Sequence, residues 1–176
     1  MTPVERLEAI YEIEQNLFKY ARGVDRRDWN LVRLSYHEDA NDNHGSFKGS
    51  IDGLISWMKQ RHQGIQYSIH LISNISIDFV NDTSALVESY FTAHQRVEQT
   101  VTPGKSIDNQ SIGRYLDHVT KRDGYWKVES RDVVFDFYFS SPSDDSPLLP
   151  AGATRSLRDS RDPRYVLERK LNISPT

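Results

Sequence analysis

The chain has 176 residues, 37% of them hydrophobic and 11% aromatic, which suits one core with an appendage and falls short of two full domains. Its net charge of −3, with Lys and Arg interleaved among Asp and Glu, leaves no basic stripe of the kind that binds nucleic acid, and the absence of Cys excludes disulfides, thiolate nucleophiles and cysteine-ligated metal centres. Residues 1–10 lack the pattern of a secretory signal and no run approaches the ~18 apolar residues of a membrane span, so a soluble cytoplasmic protein is expected.

Thr2-Pro3 reads as an N-cap with proline in the first turn, and Val4, Leu7, Ile10, Leu17 and Tyr20 recur at helical spacing. This predicts a helix from about Pro3 to Arg22, stopped at Gly23. Asp28 is expected to cap a short second helix carrying Trp29, Val32, Leu34 and, at its end, Tyr36. The polar stretch from Glu38 to Ser46 reads as a loop or a short strand, and Ser50 opens a third amphipathic helix that reaches about Gln63. After Gly64 the apolar period changes from 3.6 to 2. Residues 66–80, 84–98, 106–120 and 125–139 are rich in Ile, Val, Tyr, Phe and Thr and read as long strands. Turn signals at Asn81-Asp82 and at Lys121-Arg122-Asp123-Gly124 join neighbours as antiparallel hairpins. Helices followed by a curled meander define an α+β domain over residues 1–139. Residues 140–176 form an extension: a Ser- and Pro-rich linker, then a possible short helix from Arg164 to Leu171 that could act as a lid or docking arm.

Where helices and sheet meet, Tyr20 and Asp25 fall at and just beyond the end of the first helix, and His70 lies on the first long strand, four residues before Asn74 on the same strand face. A histidine is the natural proton acceptor near pH 7, and a carboxylate on one ring nitrogen fixes its tautomer and stabilises the imidazolium. On residues alone, Asp25 could instead cap the second helix and His70 could be a satisfied core histidine. His37, Asp39, Asp42 and His44 crowd one loop, but their spacing matches no recognised metal pattern, and no glycine-rich phosphate loop is present. No metal or nucleotide cofactor is therefore expected. Arg114 and Asp117 are expected to pair on the sheet as scaffold, with Arg114 also able to meet an acidic substrate.

Gly-Val-Asp25-Arg-Arg, Tyr-Ser-Ile-His70 with Asn74, Ile-Gly-Arg114-Tyr-Leu-Asp117 and Arg122-Asp-Gly-Tyr-Trp126 occur in an order that resembles the SnoaL-like branch of the nuclear transport factor 2-like superfamily. That branch includes scytalone dehydratase, bile acid 7α-dehydratase and hexachlorocyclohexane dehydrochlorinase, and the resemblance covers about Val4 to Phe139. It implies a cone-shaped barrel of helices on a strongly curved sheet, with His70 as base, Asp25 as its orienting partner and Tyr20 assisting the leaving oxygen or polarising a carbonyl. It further implies Arg122 in the pocket and His94 as a second histidine on the neighbouring strand. Asn74 and Tyr36 complete the expected substrate-binding set.

The expected activity is that of a cofactor-independent, dehydratase-like lyase acting on a small hydroxylated aromatic or alicyclic compound, since a cone lined by Tyr, Phe, Trp and Ile suits a ring. Retro-aldol loss of formaldehyde would use the same parts. The alternatives are a polyketide cyclase or isomerase, or a non-catalytic subunit of a ring-hydroxylating dioxygenase. A homodimer or homotrimer is expected, joined through an outer sheet face with alternating apolar residues such as Ile75, Ile77 and Phe79 or their partners.

Overall fold

The computed structural model describes residues 1–99, 104–143 and 149–173. Helix α1 spans Pro3–Arg26 and begins with a capping box, in which the Thr2 hydroxyl accepts from the Glu5 amide and the Glu5 carboxylate accepts from the Thr2 amide. It runs past Gly23 and ends at Arg27, whose left-handed backbone (φ 56°) returns its N–H to the carbonyls of Gly23 and Val24. Gly23 has a different purpose from the expected stop: a Cβ there would lie 2.9 Å from both Cγ2 and N of Val32, so it lets α2 (Trp29–Leu34) pack directly on α1. Asp28 caps α2 by accepting from the Leu31 amide. Asp25 consequently sits on the last turn of a helix and not beyond one.

The polar stretch after α2 is strand β1 (Tyr36–Asn43), so Tyr36 opens a strand instead of closing a helix. A three-residue β2 (Lys48–Ser50) leads into α3 (Ile51–Arg61), capped by Ser50. Four long strands follow, β3 (Ile65–Asn81), β4 (Ser84–Glu98), β5 (Ser106–Arg122) and β6 (Tyr125–Pro142). They form antiparallel hairpins, and β1 joins parallel to β6, giving an open six-stranded sheet in the order β2-β1-β6-β5-β4-β3. The chain thus has the helix-backed curled sheet of the nuclear transport factor 2-like α+β fold, with the sheet not closed into a barrel. Ala9, Ile13, Leu17, Tyr20 and Val24 of α1 enter a common core with Leu54 and Met58 of α3 and with Val87, Phe91, Tyr115 and Val128 of the sheet.

A bulge decides which residues of β3 face that core. Asn74 adopts a left-handed conformation (φ 46°) where the β3–β4 register slips between Ser73 and Ser76. Before the slip His70 and Ile72 point inward; after it Ile75, Ile77 and Phe79 do, all three packed against the core. The expectation that these three form the outer face is therefore incorrect. The exposed apolar residues of the outer face instead include Ile69, Leu71, Phe137 and Phe139, which the strand register brings into neighbouring rows.

Of the extension, residues 144–148 of the expected linker lie outside the described residues. Helix α4 (Pro163–Lys170) is capped by Asp162, which also meets Arg26 of α1 at 3.3 Å. Arg158 donates to the carbonyls of Val24 (3.2 Å) and Asp25 (2.8 Å) in the last turn of α1 and of Ile65 (2.8 Å) at the start of β3, and so ties the extension to both elements.

Candidate active site

The sheet curls around a cavity of about 310 Å³, closed on one side by α1 and α3. Its walls combine Trp57, Phe91, Tyr115 and Phe135 with polar groups that include Tyr20 and three histidines, His44, His62 and His70. That volume lies at the lower end of the range for small-molecule sites.

Asp25 and His70 meet in this structure. Nδ1 of His70 lies 2.6 Å from Oδ1 of Asp25, and the backbone N–H of His70 donates to Oδ2 at 2.9 Å. β3 is an edge strand, which leaves outward-facing amides unpaired; the last turn of α1 brings a carboxylate to one of them and holds the ring of the same residue. Both side chains are only 9% exposed. With Nδ1 engaged, the other ring nitrogen is left to the cavity that His70 lines.

Tyr20 is buried on α1, and its hydroxyl stands 3.5 Å from Nε2 of His44. Burial pushes its phenol well above the usual range, against the pull of the Arg131 charge, so it stays neutral. Tyr36 lies beneath the cavity and not in its wall; its hydroxyl donates to Asp42 at 2.7 Å. Both rings, with Tyr115, surround Arg131, whose guanidinium carbon lies 4.2 Å from the centroid of Tyr20 and 4.1 Å from that of Tyr115.

Three expected site residues lie elsewhere. Asn74 is exposed, because the bulge it forms reverses the strand's facing. His94 is on the outer face: Phe91, Ala93 and Gln95 line the cavity, so alternation turns His94 away. Arg122, at the distal end of β5, pairs with Asp39 at 2.7 Å and with Glu129 at 3.1 Å, outside the cavity. The pairing expected of Arg114 with Asp117 also fails, since residues three apart on a strand face opposite sides. Arg114 meets Glu88 and Asp136 outside, while Asp117 forms a buried bidentate pair with Arg131.

The crowded histidine and acidic residues of β1 and of the position that follows it disperse. His37 donates to the Thr120 carbonyl, Asp39 meets Arg122, and only Asp42 and His44 stay together, at 2.6 Å. Among the described residues no three His, Asp or Glu side chains gather into a metal-binding group.

His62, which follows α3, carries no sequence signal beyond its type. Arg158 donates to its Nδ1 at 2.7 Å, and because a guanidinium has no acceptor, the neutral ring must carry its proton on Nε2. Burial first, then the charges of Arg158 and His70, push His62 down to about 3. Burial, then Arg27, likewise brings Arg158 down to about 10. The unfolded chain takes up this proton below about pH 6.5, whereas the folded chain resists until about pH 3, so stability is full above 6.5 and is lost as the pH falls towards 3. The thermal midpoint is expected to drop between pH 7 and pH 5, and to drop less in His62→Gln; equal drops in the two proteins would remove His62 as the cause.

Helices over a curled sheet, with a carboxylate–imidazole pair set in an aromatic cavity, define a nuclear transport factor 2-like protein with a pocket equipped for proton transfer. The family model of the SnoaL-like domain matches residues 5–132, and the chain belongs to that family. It is similar to a scytalone dehydratase-like protein from Novosphingobium aromaticivorans DSM 12444, at 25% identity over 88% of this chain and 100% of that one, with a TM-score of 0.69. It also resembles the type-3 LinA hexachlorocyclohexane dehydrochlorinase of Novosphingobium barchaimii LL02 (18% identity, 85% and 99% of the two chains, TM-score 0.67). A third similar structure is an aromatic ring hydroxylase-like protein from N. aromaticivorans (18% identity, 78% and 94%, TM-score 0.65). At 18% identity the last two establish a shared fold. None of the curated proteins compared matches the sequence.

Proposed function

We propose that the chain is a cofactor-independent lyase of the dehydratase type, acting on a small hydroxylated aromatic or alicyclic compound. The observation that carries this reading is the Asp25–His70 pair at 2.6 Å on a cavity with aromatic walls. Asp25 holds the proton of neutral His70 on Nδ1, so the lone pair of Nε2 is available to a carbon-bound proton beside a carbonyl or similar activating group. As that C–H bond breaks, its electron pair forms the new double bond and the neighbouring C–O bond breaks towards oxygen. The imidazolium that results is stabilised by the carboxylate it already touches. Trp57, Phe91 and Tyr115 supply flat surfaces for a ring, and a volume near 310 Å³ suits one or two fused rings.

The test is a panel of ring-containing β-hydroxy ketones and hydroxymethyl aromatics incubated in D2O with the purified chain, with no metal or nucleotide added. Deuterium wash-in at the acidic carbon together with loss of water is the expected result, and formaldehyde release would show the same base breaking a C–C bond. The absence of both exchange and elimination across the panel would overturn the reading.

A further inference from the structure

A second carboxylate–imidazole pair reaches the same cavity from β1. Asp42 and His44, two residues apart, share one side of the chain, and Nδ1 of His44 lies 2.6 Å from Oδ1 of Asp42. The other oxygen, Oδ2, accepts the Tyr36 hydroxyl at 2.7 Å, and the Asp42 side chain has no exposure. A carboxylate fixed in this way fixes the imidazole, because the Nδ1 proton has only one acceptor to meet. Nε2 of His44 is then directed to the side where Tyr20 stands, 3.5 Å from the hydroxyl, and both residues line the cavity. In the order β2-β1-β6-β5-β4-β3, the strand that ends one residue before His44 (β1) and the strand that bears His70 (β3) are separated by β6, β5 and β4. The two imidazoles therefore reach the cavity from separate parts of the sheet. A single pair would suffice for removing a proton; an elimination of water also needs a proton given.

Resting on the lyase reading above, we propose that His44, positioned by Asp42, is the second proton-transfer residue of this pocket and gives its Nε2 proton to the hydroxyl that departs as His70 takes the proton from carbon. The C–H electron pair becomes the π bond, the C–O pair goes to oxygen, and that oxygen leaves as water with the His44 proton. His70 ends protonated and His44 neutral, its remaining proton on Nδ1 against Asp42. Exchange of one proton from His70 to solvent and one from solvent to His44 restores the starting state. Tyr20, a neutral phenol beside Nε2 of His44, donates a hydrogen bond to the same departing oxygen.

Leaving groups that differ in their need for a proton test this role. 3-Hydroxy-1-indanone and 3-bromo-1-indanone present the same acidic carbon, but bromide departs as a stable anion and hydroxide does not. Indenone formation is followed by absorbance for the wild type, His44→Gln and His70→Ala. The expected result is that His44→Gln slows loss of hydroxide by about 10²-fold or more, yet slows loss of bromide by less than about tenfold, whereas His70→Ala slows both. Equal losses in His44→Gln with the two probes, or no loss with either, would overturn the role of His44 and leave His70 as base. A wild type that eliminates neither group would overturn the lyase reading and this role with it. Should His44→Gln lack a native circular dichroism spectrum, Asp42→Asn provides the same comparison. Its ratio of hydroxide to bromide elimination is expected to fall in the same direction, and an unchanged ratio would count against the proposal, since a purely structural Asp42 would slow both reactions alike.

Discussion

His70→Ala is expected to lower turnover by about 10²–10⁴-fold, the usual worth of a positioned proton acceptor, with little change in the fold. The ring lies at the margin of the cavity, 9% exposed, so truncation opens space that water can enter without collapsing a dry core. Asp25→Asn is expected to be severe for a different reason. Its amide has one acceptor oxygen where the carboxylate has two, so it keeps only one of the contacts to the ring and the backbone N–H of His70, now 2.6 and 2.9 Å away, and it brings no negative charge to an imidazolium. The double variant is expected to fall no further than the worse single one, because the two residues remove one proton as a unit. Deuterium wash-in at the acidic carbon reads that step alone. Exchange that survived both substitutions at the wild-type rate would make the pair a tie between α1 and the edge of the sheet.

The parts of the fold that could be read from the sequence are those where apolar residues set the period. The four long strands and three helices fall within a few residues of their expected positions, because Ile, Val, Phe and Tyr alternate or recur with little ambiguity. β1 reads only as a loop or a short strand for the opposite reason: its buried positions are filled by Asp42 and His37 as well as Tyr36 and Ala40, and buried polar residues satisfied by hydrogen bonds leave no hydrophobic trace. Asp42 and His44 could have been found from their two-residue spacing had the segment been read as a strand. Asp25 and His70 were legible through resemblance, and the geometry adds the bidentate contact to an edge-strand amide. Asn74 and His94 were misplaced by facing alone. One bulge reverses the alternation of β3, and the turn between β3 and β4 sets the facing of β4, neither of which residue type reveals. His62 and Arg158 lie 96 positions apart, and only the folding of the extension against the end of α1 shows that they meet.

Asp117→Asn is expected to cost about 3–5 kcal/mol of stability, the loss that follows when one member of a buried ion pair is removed and the other stays charged. Asp117 and Arg131 have no side-chain exposure, and two parallel hydrogen bonds of 2.7 and 2.6 Å join them between β5 and β6. Among the described residues Nη1 of Arg131 finds no hydrogen-bond partner; the guanidinium lies against the faces of Tyr20 and Tyr115, which offer it negative π density in place of an acceptor. Without the carboxylate this cation keeps its rings and loses its main compensation. For a chain of this size the loss corresponds to a thermal midpoint lower by roughly 6–20 °C. Replacing both members together, as Asp117→Leu with Arg131→Met, is expected to recover most of that stability, since no unpaired charge then remains in the core. The double variant should nonetheless be less active than its stability suggests, because Tyr20 and Tyr115 lose the cation that seats them under the cavity. Urea unfolding of the wild type, the single variant and the double variant measures the first two differences. A single-variant loss below about 1 kcal/mol would mean that water reaches Arg131 and that the pair is not the fixed floor of the site.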